Sequence, residues 1–425
     1  MESNRKLLAV GCALAIAGCA QGNLGGSPGA LGSAGFSALP SLARSGARLA
    51  HLRGRSGSLG PAIYVFAGQP DAATPQVALT SVGSMLYGTT YYGGADNLGA
   101  VYSVTASGTE TVMHSFTGSD GENPDGPLTN VKGTLYGTTY QGGAASGTVF
   151  SITPSGTYNV VYNFGVASGD CSEPDSAMIY VASKKALYGT AYRGGAHGEG
   201  CIFKLSLAGK TPKLSIVYSF TGSASSPAYA SAPVFYNGAL YVTTPAGGNN
   251  DLGAVLKIAL SGTESVIYSF KDAPDGATPQ APLTVMNGTL YGTTEAGGIA
   301  KCGNYAGCGT VFKVTSAGKE KVIYRFQDGV SKIDAVNPQT ALTPIGGSLY
   351  GVTPGCSGNG CGQGIVYSVT PSGVETVIFD FVLPRSSPDG YPENPLGPVV
   401  SLNGTIYGTT EYSAHTGYGT VYALP

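Results

Sequence analysis

The chain has 425 residues and a formal net charge of −2, and only 11% of its residues are charged. With no long run of either sign, it lacks the basic footprint of a nucleic-acid binder. Glycine is abundant at 67 residues, but 42% apolar content and 27 tyrosines can fill a large core, which excludes disorder across the whole chain.

In chain order, the first predicted element is a targeting segment. Arg5 and Lys6 precede an apolar run from Leu7 to Ile16, too short to span a bilayer as a stable helix and suited to a signal h-region. The run ends in Ile16-Ala17-Gly18-Cys19, which resembles a bacterial lipobox, so residues 1–19 read as a lipoprotein signal peptide with Cys19 as the lipid attachment point. Residues 20–60 are rich in Gly, Ala and Ser and read as a flexible tether, roughly 35 Å across as a coil.

From residue 61 to 425 an internal repeat takes over. Leu-Tyr-Gly-Thr-Thr stands at Leu86–Thr90, Leu135–Thr139 and Leu290–Thr294, with variants at Leu187–Ala191, Leu240–Thr244, Leu349–Thr353 and Ile406–Thr410. The repeated tyrosine therefore falls at 87, 136, 188, 241, 291, 350 and 407, seven copies separated by 49 to 59 residues. Each copy reads as four short strands bounded by Gly, Pro and Ser turns, and no long 3.6-residue period interrupts them. The prediction is an all-β, seven-bladed β-propeller of four-stranded blades. The repeated tyrosine is expected to pack in the core or between blades.

The fourth strand of each copy ends in an aromatic pair, as in Tyr162/Phe164 and Tyr268/Phe270, with His114/Phe116 as the histidine variant. Six such pairs lie inside the repeats; the seventh, Tyr64/Phe66, precedes the first full copy, while the chain stops at a third strand, Thr420–Ala423. Ile63–Phe66 is thus expected to be the N-terminal strand that completes the last blade and removes an open edge.

The unit Leu-Tyr-Gly-Thr-Thr-x-x-Gly-Gly…Gly-Thr-Val-Phe…Ser-Gly…Val-Ile-Tyr-Ser-Phe resembles the tandem repeat of the GloVer family, exported bacterial proteins carried on varied surface anchors. The resemblance covers about Ala62 to Pro425, with departures at Thr190-Ala191, Val242 and Val352-Thr353. It implies the propeller fold and an extracytoplasmic location, and it supplies no catalytic residues to carry over. The Gly-Gly after strand two is also kelch-like, although the tryptophan usual in kelch repeats is absent here.

Links from strand two to three, and from strand four to the next blade, are the long ones, so their shared face is the candidate functional surface. The remaining cysteines, Cys171, Cys201, Cys302, Cys308, Cys356 and Cys361, read as disulfide formers in an exported chain. Sequence position suggests the pairs 171/201, 302/308 and 356/361; zinc is disfavoured because no histidine is close. Acidic loops at Asp120, Glu122 and Asp125, at Asp170, Glu173 and Asp175, at Asp272 and Asp275, and at Asp389 and Glu393 read as turn chemistry rather than calcium sites. No metal or other cofactor is expected.

His114 reads as core and His51 lies in the tether, while His197 and His415 sit in loops without a nucleophile motif beside them. Glu295 and Glu411 occupy the same position in copies five and seven, too far apart for the roughly 5 to 9.5 Å of a glycosidase pair. Tyr91, Tyr92, Tyr140 and Tyr192, just after the Thr pair, suit glycan or protein contact, and with Glu295 and Glu411 they form the candidate binding face. The expected function is a non-enzymatic binding or adhesion module, anchored to a bacterial membrane through lipid, in the periplasm or at the cell surface. The alternative is a polysaccharide-processing enzyme or periplasmic assembly factor on the same scaffold.

Overall fold

The computed structural model describes residues 61–223, 228–302, 307–327, 336–354, 363–381, 391–414 and 416–425. The signal segment with Cys19, the tether, His51, Cys356, Cys361, Asp389 and His415 lie outside them.

Seven antiparallel blade sheets follow one another along the chain, each of four strands, with Pro392–Pro395 adding a fifth to the last. Blade two shows the common plan, with Thr129–Val131, Thr134–Thr139, Thr148–Ile152 and Tyr158–Asn163 paired in sequence order. The first strands of successive blades contact one another, which makes them the inner ring. Turn chemistry sets the first hairpin: Lys132-Gly133, Asn237-Gly238, Asn287-Gly288 and Asn403-Gly404 all have positive φ at both residues, the backbone of a type I′ turn.

The ring closes as the sequence predicts. Ala62–Val65 pairs antiparallel with Thr420–Leu424, with Ala62 opposite Tyr422 and Val65 opposite Thr420, and it serves as the outer strand of blade seven. It carries the same register shift that every other fourth strand shows against its third. The turn glycine of the following blade also sits in the same place: Gly108 rests against the Ile63 carbonyl as Gly318 rests against that of Ile267.

Three devices hold neighbouring blades together, and each explains a repeated letter. The last aromatic of strand four crosses the seam onto a third-strand ring of the next blade, as in Phe66 on Tyr102, Phe164 on Phe203 and Phe381 on Tyr422, with centroids 5.0 to 5.1 Å apart. Edge-on ring pairs of this kind add to the burial of both partners. That third-strand ring lies over the glycine of Leu-Tyr-Gly: a Cβ on Gly292 would stand 2.6 Å from Phe312, so no side chain fits. In blade four the third-strand residue is Leu256 instead, and Val242 takes the place of the glycine, both fully buried. The Val242 departure is therefore a compensated exchange. Third, the first threonine of the pair donates across the seam: Thr243 to the Ala281 carbonyl at 2.8 Å, and Thr409 to that of Val77 at 3.0 Å. The repeated tyrosine is buried at 87, 188, 241, 291 and 407 and half-buried at 136 and 350, as expected of a packing residue.

Two of the expected disulfides form, Cys171–Cys201 and Cys302–Cys308. The first ties the link leading into blade three to its third strand. Closing a 30-residue separation stabilises the fold by about 3 to 4 kcal/mol in the chain-entropy account. Disulfides indicate an oxidising, extracytoplasmic setting. Among the described residues no helix is long and apolar enough to cross a membrane.

Candidate functional site

The long links build one face of the ring. In blade three Cys171–Ser172, leading in, pairs with Arg193–Gly194 after strand two; Ala72–Ala73 with Tyr92–Gly93 and Gly276–Ala277 with Ala296–Gly297 repeat the arrangement. The residue that follows is in the left-handed region in every blade, at Thr74, Asn123, Glu173, Tyr229, Thr278, Asn337 and Asn394, with φ from 52° to 63°. None is glycine, so each carries a steric cost of about 1 to 2 kcal/mol. In four blades the carbonyl of that residue accepts the N–H of the residue after the Thr pair: Thr74 accepts from Tyr91, Asn123 from Tyr140, Glu173 from Tyr192 and Thr278 from Glu295.

Tyr91, Tyr140, Tyr192, Glu295 and Glu411 thus occupy one equivalent position in five blades, shared with Pro245 and Pro354 in the other two. Each meets the link that leads into the next blade, and the pairs match chemically. Glu411 accepts from Gln76 at 2.9 Å and from Asn394 at 2.7 Å; Glu295 accepts from Gln339 at 2.8 Å and also from Gln280. On the other arc Tyr91 neighbours Asp125, Tyr140 neighbours Asp175, and Tyr192 stacks on Tyr229 with centroids 4.5 Å apart. Tyr140 donates to Glu173 at 2.9 Å; Arg193 donates to the same carboxylate and lies over the Tyr192 ring at 5.3 Å. Tyr92 points outward and is 46% exposed, edge-on to Tyr91.

Electrostatics separate the two arcs. Asp125 and Asp175 are half-buried by accessible surface but sit deep among protein atoms, so desolvation is the main influence on each. Burial, then Asp175 and Glu411, pushes Asp125 up to about 8; burial, opposed by a backbone hydrogen bond and assisted by Glu173, pushes Asp175 up to about 7. Glu411 is 3% exposed and is also raised by burial, held back by its amide partners. Both of its oxygens are occupied, so this candidate is a buried, clamped carboxylate rather than one displayed to solvent.

The other acidic residues serve turns. Asp170 accepts from the Gly165 and Cys171 N–H groups and from Tyr162, and Asp275 accepts from Lys271, Gly276 and Tyr268. His114 takes the tyrosine's role at its seam, bonding Asp120 at 2.9 Å and stacking on Tyr158 at 3.7 Å; burial lowers its pKa despite that partner. His197 is exposed. Among the described residues no three acidic, histidine or cysteine side chains are grouped to hold a metal.

Sequence reasoning missed Gln76, Asp125, Asp175, Gln280, Gln339 and Tyr229 as members of this ring. The available signal for Gln76, Asp125, Asp175, Gln280 and Gln339 was their shared place after Thr-Pro, Asn-Pro or Glu-Pro in the inter-blade link; Tyr229, followed by Ala230, carries no such signal.

Fold and ring together define a tandem-repeat β-propeller whose packing positions recur while its axial loop positions change. The chain belongs to the Gloeobacter/Verrucomicrobia repeat family, whose profile matches residues 55–182 and 236–425. No curated protein matches it. Among solved structures it is similar to a puromycin-hydrolyzing peptidase from Mycobacterium tuberculosis, with 11% identity, covering 82% of this chain and 53% of that one, at a TM-score of 0.48. It is also similar to a protein from Bacteroides uniformis provisionally described as a 6-phosphogluconolactonase, with 14% identity, 73% and 88% coverage and a TM-score of 0.45. Likenesses this distant carry no argument about function.

Proposed function

We propose that this chain is an exported binding scaffold, tethered by lipid at Cys19, that presents its axial loop face to a glycan or a protein. One observation carries the reading. Blade after blade, the packing letters repeat while the paired positions of the axial ring change from Tyr/Asp to Tyr/Tyr to Glu/Gln. Variation confined to loops on a fixed frame is how scaffolds carry recognition. The test is binding of the purified chain to immobilised envelope glycans and proteins. Capture that weakens when ring residues are substituted supports the reading, and absence of capture sinks it. Cys19→Ala should move the protein from membranes to the soluble fraction, and unchanged partitioning overturns the anchor.

A second reading, a polysaccharide-processing enzyme, draws on Asp125 and Asp175, two acidic groups raised into the range of a general acid at neutral pH. It requires new reducing ends from a polysaccharide incubated with the protein, lost in Asp125→Asn.

A further inference from the structure

We propose that the aromatic arc of the axial face, Tyr91, Tyr140, Tyr192 and Tyr229, seats a neutral, hydroxyl-rich glycan, stacked on the rings and hydrogen-bonded by Asp125 and Asp175. This rests on the binding reading above and narrows it to one ligand class on one side of the ring.

The arc differs from the opposite arc in what it leaves available. Around Glu295 and Glu411 the carboxylates are saturated by Gln280, Gln339, Gln76 and Asn394, so they have little to give a ligand. Around Tyr91, Tyr140 and Tyr192 the partners are rings and acids. Tyr192 and Tyr229 stack on each other and Arg193 lies over the Tyr192 ring, yet both tyrosines are only half-buried, so the pair still presents ring surface to solvent. A tyrosine offers an apolar face and a hydroxyl at low conformational cost, which matches the apolar faces and equatorial hydroxyls of a pyranose.

Charge selects among glycans. Arg193 already bonds Glu173, and Asp125 and Asp175 form no ion pair among the described residues. An anionic glycan would meet Glu173 and the ionised share of Asp175 here, with Arg193 already engaged by Glu173. An amino glycan would first have to displace protons from acids that burial holds protonated or half-protonated near neutrality. A protonated carboxyl donates through one oxygen and accepts through the other, as a sugar hydroxyl does. Neutral polyols fit that exchange without moving a proton.

The experiment uses the purified full chain on an array carrying neutral gluco-, manno- and galactopolysaccharides, uronic-acid polymers, chitosan and envelope proteins. Neutral polymers should be bound, with about ten-fold weaker binding in Tyr192→Ala. Tyr192→Phe, which keeps the ring, should retain most of the affinity. Val374→Ala, in an exposed turn between a third and a fourth strand, should leave binding unchanged. Circular dichroism melts check that each variant is folded. Preference for acidic or amino polymers, or neutral binding indifferent to Tyr192→Ala, overturns this inference but leaves the binding scaffold standing. So does capture of proteins alone. Absence of binding to any member overturns both.

Discussion

The seam between blades seven and one and the seam between blades three and four break the common pattern in opposite ways. At the first, blade seven's outer strand comes from the N-terminal end, so the chain breaks between that blade's third and fourth strands, yet the contacts to blade one are ordinary. Phe66 meets Tyr102, Gly108 meets Ile63, and Thr409 donates to Val77. The second is continuous in the chain, yet its packing is altered, with Phe220 beside Leu256 and Val242 where a glycine stands elsewhere. Packing, not connectivity, decides what makes a seam.

The largest effect should come from removing the discontinuous strand. A chain beginning at Pro61 should keep the ring, whereas one beginning at Ala67 loses Tyr64 and Phe66, which are 3% and 0% exposed. Each is worth about 1.5 to 3 kcal/mol of burial, a large part of the roughly 5 to 15 kcal/mol that stabilises an ordinary domain. Light scattering and melting curves should show aggregation of the shorter chain only. Equal melting temperatures for the two would mean that closure does not depend on this strand.

The next test transplants blade four's exchange. Gly292→Val in blade five forces a side chain into the Phe312 ring and should cost about 1 to 3 kcal/mol. Adding Phe312→Leu should recover most of that loss, because Val242 with Leu256 is already a working pair. A double-mutant cycle with no coupling would show that the two positions do not compensate.

The smallest effect concerns protonation at the closing seam. Glu110, facing Tyr64, Asp71 and Tyr102, is 5% exposed, and burial followed by repulsion from Asp71 raises it to about 8 from an ordinary 4.5. A raised pKa means that the fold holds the proton more tightly than the unfolded chain. Its contribution is complete below pH 4.5 and is lost as pH rises towards 8. Glu110→Gln should flatten that decline and raise Tm at pH 8 by about 1 to 3 °C. Asp125, Asp175 and Glu320 shift in the same direction and will leave a residual slope. A slope unchanged by the substitution would place the proton elsewhere.

The fold was legible because its signals are vertical: the same letters recur at the same place in each copy, and Tyr64/Phe66 carried the fourth-strand signature even when detached from its blade. The disulfide of blade three was legible for the same reason, since Cys171 and Cys201 fall in one copy. The axial ring was only half legible. Tyr140 and Glu295 were singled out by their shared position, but their partners, Asp175 and Gln339, belong to the following copy. Aligning copies compares like with like and hides a pairing that runs diagonally between them. Asp125 also looked like any Asp-Gly turn; only the depth at which the ring sets it distinguishes it from Asp120.

The left-handed residue that opens each blade has a consequence for how such a molecule can change. The position after the Thr pair is held by its main chain, its N–H bonding the carbonyl of that residue in four blades and its carbonyl accepting from Asn123 or Asn337 in two, so the side chain there is not needed to hold the loop. The axial mouth is a short text written on a frame that does not read it. Its pairs can be rewritten seam by seam, a tyrosine and acid exchanged for a glutamate and amide, without repacking a blade. Lineages that duplicate or shuffle blades would inherit new recognition surfaces ready-made, and an engineer could recombine them in the same way.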